Sequence, residues 1–276
     1  WLMLLEVVVI SFAWTFNPAY IIFRLQVIWV LGLSMVCMSV LIYLPPKIIL
    51  VIGMVILFGH NLLDSIHATG NTFKDFLWAE FHERKRFYIG GHQVTTGYSI
   101  LAWLGIMMLG YSFGMLYKKE MDAALRKKYL LLIGSIAIIL FVLLRVINSY
   151  GDMAPWATQP SFVLTVCSFF NVTKYPPSLM YNLMTLGPAV IILALLERPL
   201  NWWGKIIIPF GRVPLFFYIL HLFLIHGLAV VAVVASSRPW TDMVITTLAN
   251  AKESPWLKGY GYSLAGTYLV WLLVIV

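Results

Sequence analysis

Long apolar runs separated by short polar interruptions dominate the chain. Six of them look complete, near residues 25–44, 47–63, 98–117, 129–148, 178–197 and 213–236. Each approaches the about 20 residues that a helix needs to cross a bilayer. The runs "WLMLLEVVVISFAWTF" and "YSLAGTYLVWLLVIV" stand at the two ends of the chain. Both are shorter than a span, so they are expected to be truncated spans of an internal fragment whose flanking helices are missing. The pattern therefore predicts an all-α fold. It is a polytopic transmembrane helix bundle of about eight spans, two of them truncated, forming a single domain over 1–276. No internal repeat, low-complexity tract or second domain is visible.

Two further apolar stretches are too short to cross. "FVLTVCSFF" at 162–170 is expected to be interfacial or re-entrant. "IIIPFG" at 206–211 is a similar lead-in, broken by Pro209 and Gly211. In "NVTKYPPSLMYNLMTLGP", residues 171–188, the pattern places Pro176 and Pro177 in the first turn of a helix. A proline costs little there, because the N–H it lacks has no intrahelical partner. Gly187–Pro188 is expected to kink the same helix.

Composition strengthens the membrane reading. Apolar residues make up 61% of the chain and charged residues only 11%, against about 45–50% and about 25% in soluble domains. Lipid must solvate the surplus. The net charge of +8 fits loops facing anionic lipid and does not call for a nucleic-acid partner. The connections "LPPK", "KKEMDAALRKK" and "RPLNWWGK" share one side. The middle one carries Lys118, Lys119, Arg126, Lys127 and Lys128 against Glu120 and Asp122. Basic residues in short loops mark the cytoplasmic face, so segments 64–97, 149–177 and 237–258 fall on the periplasmic or lumenal side. Cys37 and Cys167 form no disulfide framework, and the histidines have no metal-ligand spacing. Trp202 and Trp203 read as interfacial belt residues, and "ERKRF" at 83–87 as a solvated charge run. There is no serine-nucleophile elbow, phosphate loop or dinucleotide fingerprint.

Polar groups inside or beside spans carry the candidate chemistry, because each is costly in lipid. In "FGHNLLDSIH", His60 and Asp64 are four residues apart, hence on one helical face, with Asn61 beside them. A carboxylate can orient a histidine that acts as general base; the same pair can equally be an interfacial cap. In "FVLLRVINSYGDMAPW", Arg145 and Asn148 share a face and Asp152 follows. They either bind an acceptor's polar groups or tether helices. Lys174, Tyr175 and Ser178 precede or begin the next span. Their backbone N–H groups, with Lys174, could form an anion or oxyanion site. Alternation of loops puts all three clusters on one membrane face. On the last complete span, His221 lies about 13 Å from Arg212 at 1.5 Å per residue, near the bilayer middle, with Tyr218 one turn before it. It serves proton transfer, acyl transfer or cofactor binding, or else bonds a neighbouring helix.

The ordered blocks "SFAWTFN", "LQVIWVLGLSM", "GHNLLD", "LRVINSYGD", "TKYPPSLMYNLMTLGPA" and "FGRVPLFFYILHLFLIH" together resemble a bacterial membrane family. That family is grouped with heparan-α-glucosaminide N-acetyltransferase catalytic domains, within a superfamily of transmembrane acyltransferases. "KYPPSL" and "FGRVPLFFY" are the most specific blocks. The resemblance implies transfer of an acetyl or other acyl group from cytosolic acyl-CoA to a small-molecule or glycan acceptor across a bacterial cytoplasmic membrane. The family's earlier Asp–Arg–Gly segment has no counterpart here, so its catalytic histidine maps to no residue of this chain.

The expectation is therefore a membrane-bound acyltransferase using acyl-CoA and no metal. His60, Asp64 and His221 are the catalytic candidates. Asn61, Arg145, Asn148, Asp152, Lys174, Tyr175, Ser178 and Tyr218 are the substrate-binding candidates. Lys205 and Arg212, with Arg198, would attract the phosphates of CoA. Lipid, acyl-CoA and the acceptor are the expected partners, and a homo-oligomer is compatible with them. The alternatives are a transporter or flippase using the same polar path without chemistry, and a structural membrane subunit.

Overall fold

The computed structural model describes residues 1–197, 201–246 and 261–275 of the chain. The fold is mostly helical. Its helices are α1 (Leu2–Thr15), α2 (Val27–Leu41), α3 (Pro46–Gly59), α4 (Phe73–His82), α5 (Ile100–Phe113), α6 (Ala123–Ile147), α7 (Phe162–Phe170), α8 (Leu179–Leu195), α9 (Trp202–Arg212), α10 (Pro214–Ala235) and α11 (Leu264–Ile275). Among the described residues, four helical segments are long and apolar enough to cross a membrane. They are α3 with its 3₁₀ continuation to Leu63, α5 with its continuation to Tyr117, α6 and α10. Four shorter apolar helices, α1, α2, α8 and α11, lie where the pattern predicts further spans.

Local chemistry sets the helix ends. Pro46 and Pro214 open α3 and α10 from the first turn, where a proline is preorganised. Asp122, Ser161 and Ser178 cap α6, α7 and α8 by accepting the N–H groups of Leu125, Leu164 and Tyr181. Asn148 ends α6 in the left-handed region, φ 57°. Because Ser178 is the cap of α8, Pro176 and Pro177 lie before the helix and not in its first turn. The two short apolar stretches are both helical: 162–170 is α7, and "IIIPFG" is the second half of the 11-residue α9.

The all-α expectation misses a small three-stranded sheet, ordered β1 (Ile22–Leu25), β3 (His92–Thr96), β2 (Lys85–Ile89). Gly90 and Gly91, at φ 57° and 84°, form its hairpin turn. Positive φ at both central residues matches the twist of paired strands. Part of "ERKRF" is thus a strand, with Phe87 buried.

The chain divides into two compact units. The first contains 1–29, 86–95 and 202–276. In it Leu5, Ile10 and Ile28 pack with Trp14, Leu215, Tyr218 and Leu222. Glu6 is fully buried on a π-turn of α1, and its carboxylate accepts the N–H groups of Ile28 and Trp29 at the start of α2.

The second unit contains 30–85 and 96–201. Two helix pairs build it. α6 crosses α8 where a Cβ on Gly134 would come within 2.8 Å of the Gly187 carbonyl oxygen. α3 crosses α5 with a Cβ on Gly53 only 3.2 Å from the Gly105 carbonyl oxygen. Small residues let helix backbones approach this closely in lipid. Gly187 is therefore a packing residue, and α8 continues through Pro188. Leu57, Phe141, Leu179, Met180 and Leu183 form the core joining α3, α6 and α8.

Candidate functional site

The second unit gathers its polar groups where α3 and α6 end and α8 begins. His60 and Asn61 are buried there. His60 Nδ1 faces the Ile56 and Leu57 carbonyls at 3.0 and 3.1 Å, and Nε2 faces the Pro177 carbonyl at 2.9 Å. A carbonyl only accepts, so Nε2 serves as a tether from α3 to the turn before α8, and Nδ1 faces carbonyls of its own helix. Asn61 accepts from the Leu179 N–H at 2.9 Å and donates to Asp64 Oδ2 at 2.8 Å.

Asp64 does not pair with His60. Its Oδ1 accepts from His82 Nε2 at 3.0 Å. The helical i,i+4 rule fails because residues His60–Leu63 form a 3₁₀ turn. At three residues per turn, position 64 rotates off the face of position 60. His82, absent from the sequence reading, closes α4, and its ring stands edge-to-face to that of His60 at 5.9 Å. It is 2% exposed, and its Nδ1 is buried with no hydrogen-bond partner. The carboxylate accepts a hydrogen bond from Nε2–H, which keeps the proton on Nε2 and leaves Nδ1 as the lone-pair nitrogen. A base oriented by a carboxylate and stripped of competing donors is the outcome.

The signal for His82 was present in the sequence. Thr72-x-x-Asp75 is a capping box, with Thr72 accepting from the Asp75 N–H and the Asp75 side chain accepting from the Thr72 N–H. It starts a 10-residue helix that ends on His82.

Arg145 is 2% exposed, and backbone carbonyls take its guanidinium. Nε donates to Phe169 at 2.8 Å, Nη1 to Ala154 at 3.0 Å, and Nη2 to Ser168 and Asn171 at 3.2 and 2.8 Å. Three of these carbonyls lie at the C-terminal end of α7, where a cation also meets the helix dipole. Asn148 pairs both ways with the Trp156 backbone, at 2.9 and 3.1 Å. Asp152 accepts from Ala154 N, Thr173 N, Thr173 Oγ1 and Ser178 Oγ, at 2.8, 2.9, 2.7 and 2.7 Å. Arg145, Asn148 and Asp152 line a small, partly open cleft with Tyr150 and Met180, with room for about one water molecule. Tyr150 donates to the Phe58 carbonyl; burial, and then the nearby Asp64 charge, push its phenol up.

The start of α8 has no N–H to offer an anion. Ser178 N bonds to Thr173 O, Leu179 N to Asn61, Met180 N to Gly151 O, and Tyr181 N to Ser178 Oγ. The expected backbone oxyanion site is therefore absent, because side chains and neighbouring turns already satisfy these groups. Lys174 and Tyr175 sit just outside, Lys174 exposed and Tyr175 half-buried beside Tyr98.

In the first unit, His221 Nδ1 lies 2.9 Å from the Phe217 carbonyl of its own helix, which leaves Nε2 as the lone-pair nitrogen. The Tyr218 ring is 5.6 Å away. His226 spans two carbonyls, Ala13 at 3.1 Å and Met243 at 2.8 Å. Lys205 and Arg212 are both exposed on α9, two turns apart on one face. Arg198, and segment 237–258 beyond Thr246, lie outside the described residues. Among the described residues, no group of three His, Cys, Asp or Glu side chains is placed to hold a metal ion.

Compared with known proteins, the chain matches no family model, no curated protein and no solved structure.

Proposed function

We propose that this is an integral membrane acyltransferase of about eight spans. It transfers an acetyl or other acyl group from acyl-CoA to a hydroxyl or amine acceptor. The observation that carries the reading is the Asp64–His82 pair, 3.0 Å apart, with His82 Nδ1 buried and unpartnered. Acyl transfer needs a base that removes the acceptor's proton as the nucleophile attacks the thioester carbonyl. His82 Nδ1 takes that proton, and Asp64 stabilises the imidazolium that results; the C–S bond then breaks, and the departing CoA thiolate takes up the proton to leave as the thiol. Asn61 fixes the carboxylate from its other oxygen. His60 holds the start of α8 against this site.

The motif resemblance supports acyl-CoA as donor, a sugar as acceptor and a bacterial cytoplasmic membrane as the setting. On the donor side, Lys205 and Arg212 attract the CoA phosphates. The free Nε2 of His221 serves as a second base or as a transient acyl carrier.

The test is transfer of labelled acetyl from acetyl-CoA to an amino-sugar acceptor by the full chain in lipid nanodiscs. His82→Ala should lower kcat by about 10²–10⁴-fold, the range of a general base. Asp64→Asn should lower it at least about tenfold and move the pH profile, because the ring loses its fixed tautomer. Transfer untouched by His82→Ala overturns the assignment of the base. Absence of any acyl-CoA binding overturns the acyltransferase reading itself and leaves the transport alternative.

A further inference from the structure

Two cations converge on one phenol at the edge of the second unit. Arg84 Cζ lies 5.0 Å, and Lys174 Nζ 5.3 Å, from the centre of the Tyr175 ring. Both side chains are exposed. Like charges brought together repel unless something neutralises them, yet among the described residues neither has a carboxylate within 4.0 Å. The acids around them are turned inward. Glu83 accepts from the Ala68 N–H at 2.7 Å and meets His67 at 3.3 Å. Asp152 is spent on Thr173, Ser178 and Ala154, and Asp64 on His82 and Asn61. Lys85 is held by the Ala68 carbonyl.

The phenol between the cations is prepared as a donor. The Tyr98 and Tyr175 hydroxyls are 3.2 Å apart; with Tyr98 donating, the Tyr175 O–H is the one that serves a ligand. Burial raises the Tyr175 phenol, but the Tyr98 hydrogen bond and the Lys174 and Arg84 charges outweigh it and hold the group below its ordinary value.

We propose that Arg84, Lys174 and Tyr175 bind a phosphoryl group, carried either by a lipid headgroup or by a free phosphate compound. Two cations and an O–H match a group with one to two negative charges and several acceptor oxygens, where a single carboxylate would leave one cation unpaired. Because the N–H groups at the start of α8 are all occupied, side chains alone would hold the anion. The site stands whether or not His82 removes an acceptor's proton, since its readout is occupancy.

The experiment follows ionisation of Tyr175 by ultraviolet difference absorbance of the full chain against Tyr175→Phe. One arm adds inorganic phosphate to protein in an uncharged detergent. The other compares nanodiscs of phosphatidylcholine with nanodiscs containing phosphatidylglycerol. An occupying phosphate neutralises the cations, so the Tyr175 midpoint should move upward, toward its ordinary value. Arg84→Gln and Lys174→Gln should each weaken occupancy about tenfold, and Lys128→Gln should not. A shift with phosphatidylglycerol alone supports a headgroup ligand; a shift with inorganic phosphate as well supports a free phosphate site. No shift in either arm, or the same shift in the Arg84→Gln/Lys174→Gln double variant, overturns the proposal.

Discussion

Arg145 illustrates how far a residue's type can be read without its partners. An arginine deep in an apolar run must be neutralised, and the sequence offers Asp152, Asp64 or a ligand as candidates. The structure satisfies it with four backbone carbonyls, three at the end of α7. No sequence pattern reveals which carbonyls a loop will present. The consequence is testable. Arg145→Lys keeps the charge but loses the planar fork, so at least two of the four bonds go unmade. Each hydrogen bond from a charged group contributes about 1.5–3 kcal/mol, so equilibrium unfolding in mixed micelles should show a loss of about 3 kcal/mol. If Arg145 is a tether only, the acceptor KM of the folded fraction stays unchanged. A large rise in KM with stability intact would instead return Arg145 to substrate binding. The same limit hid the partner of Asp64. The i,i+4 rule points to His60, and only the 3₁₀ turn, invisible in residue types, redirects the carboxylate to His82.

At the scale of elements, apolar periodicity and length locate each of the four long helices among the described residues, because lipid exposure and helix length are both written in composition. What it misses is short and polar. α4 is only 10 residues long, its apolar positions are interrupted by Lys74, Asp75 and Glu80, and its start is fixed by the Thr72–Asp75 capping box. The β2–β3 hairpin is fixed by Gly90–Gly91, a turn signal masked by the charges before it. The capping box makes α4 sensitive to acid. The hydroxyl and N–H of Thr72, and then the Gly70 N–H, hold the half-buried Asp75 carboxyl at about 2, below its ordinary 3.8. A carboxyl depressed on folding contributes stability that is fully present above its unfolded value and lost as pH falls through its folded value. The α4 amides Phe73–Phe76 should therefore gain hydrogen-exchange rate, relative to those of α6, only between about pH 4 and about pH 2. Asp75→Asn should open the first turn of α4 already at neutral pH. Protection unchanged in that variant would mean that packing, not the cap, holds the helix that carries His82.

At the scale of the molecule, uncovered apolar surface marks where lipid must be the solvent. On α6 alone, Leu131, Leu132, Ile136, Ile139, Leu143 and Val146 are exposed, while Gly134, Phe141 and Arg145 on the same helix are buried. Water would not tolerate such a stripe along 25 residues. At about 1.5 Å per residue the helix is longer than the about 30 Å of a hydrocarbon core. α6 is therefore the segment on which orientation is best tested. Glu120 precedes it in the basic short connection and Gln159 follows it in the long segment, and both are exposed. With Cys37 and Cys167, the two native thiols, replaced by Ser, a membrane-impermeant maleimide applied to intact cells should label Gln159→Cys. It should reach Glu120→Cys only after permeabilisation, because lysine and arginine in short loops stay cytoplasmic. Labelling of both from outside would mean that α6 does not cross. Labelling in the reverse order would put His82 and the Arg84–Lys174 pair on the cytoplasmic face. In the proposed reaction the acceptor would then meet the acyl group on the same side as CoA, and that proposal would no longer include transfer across the membrane.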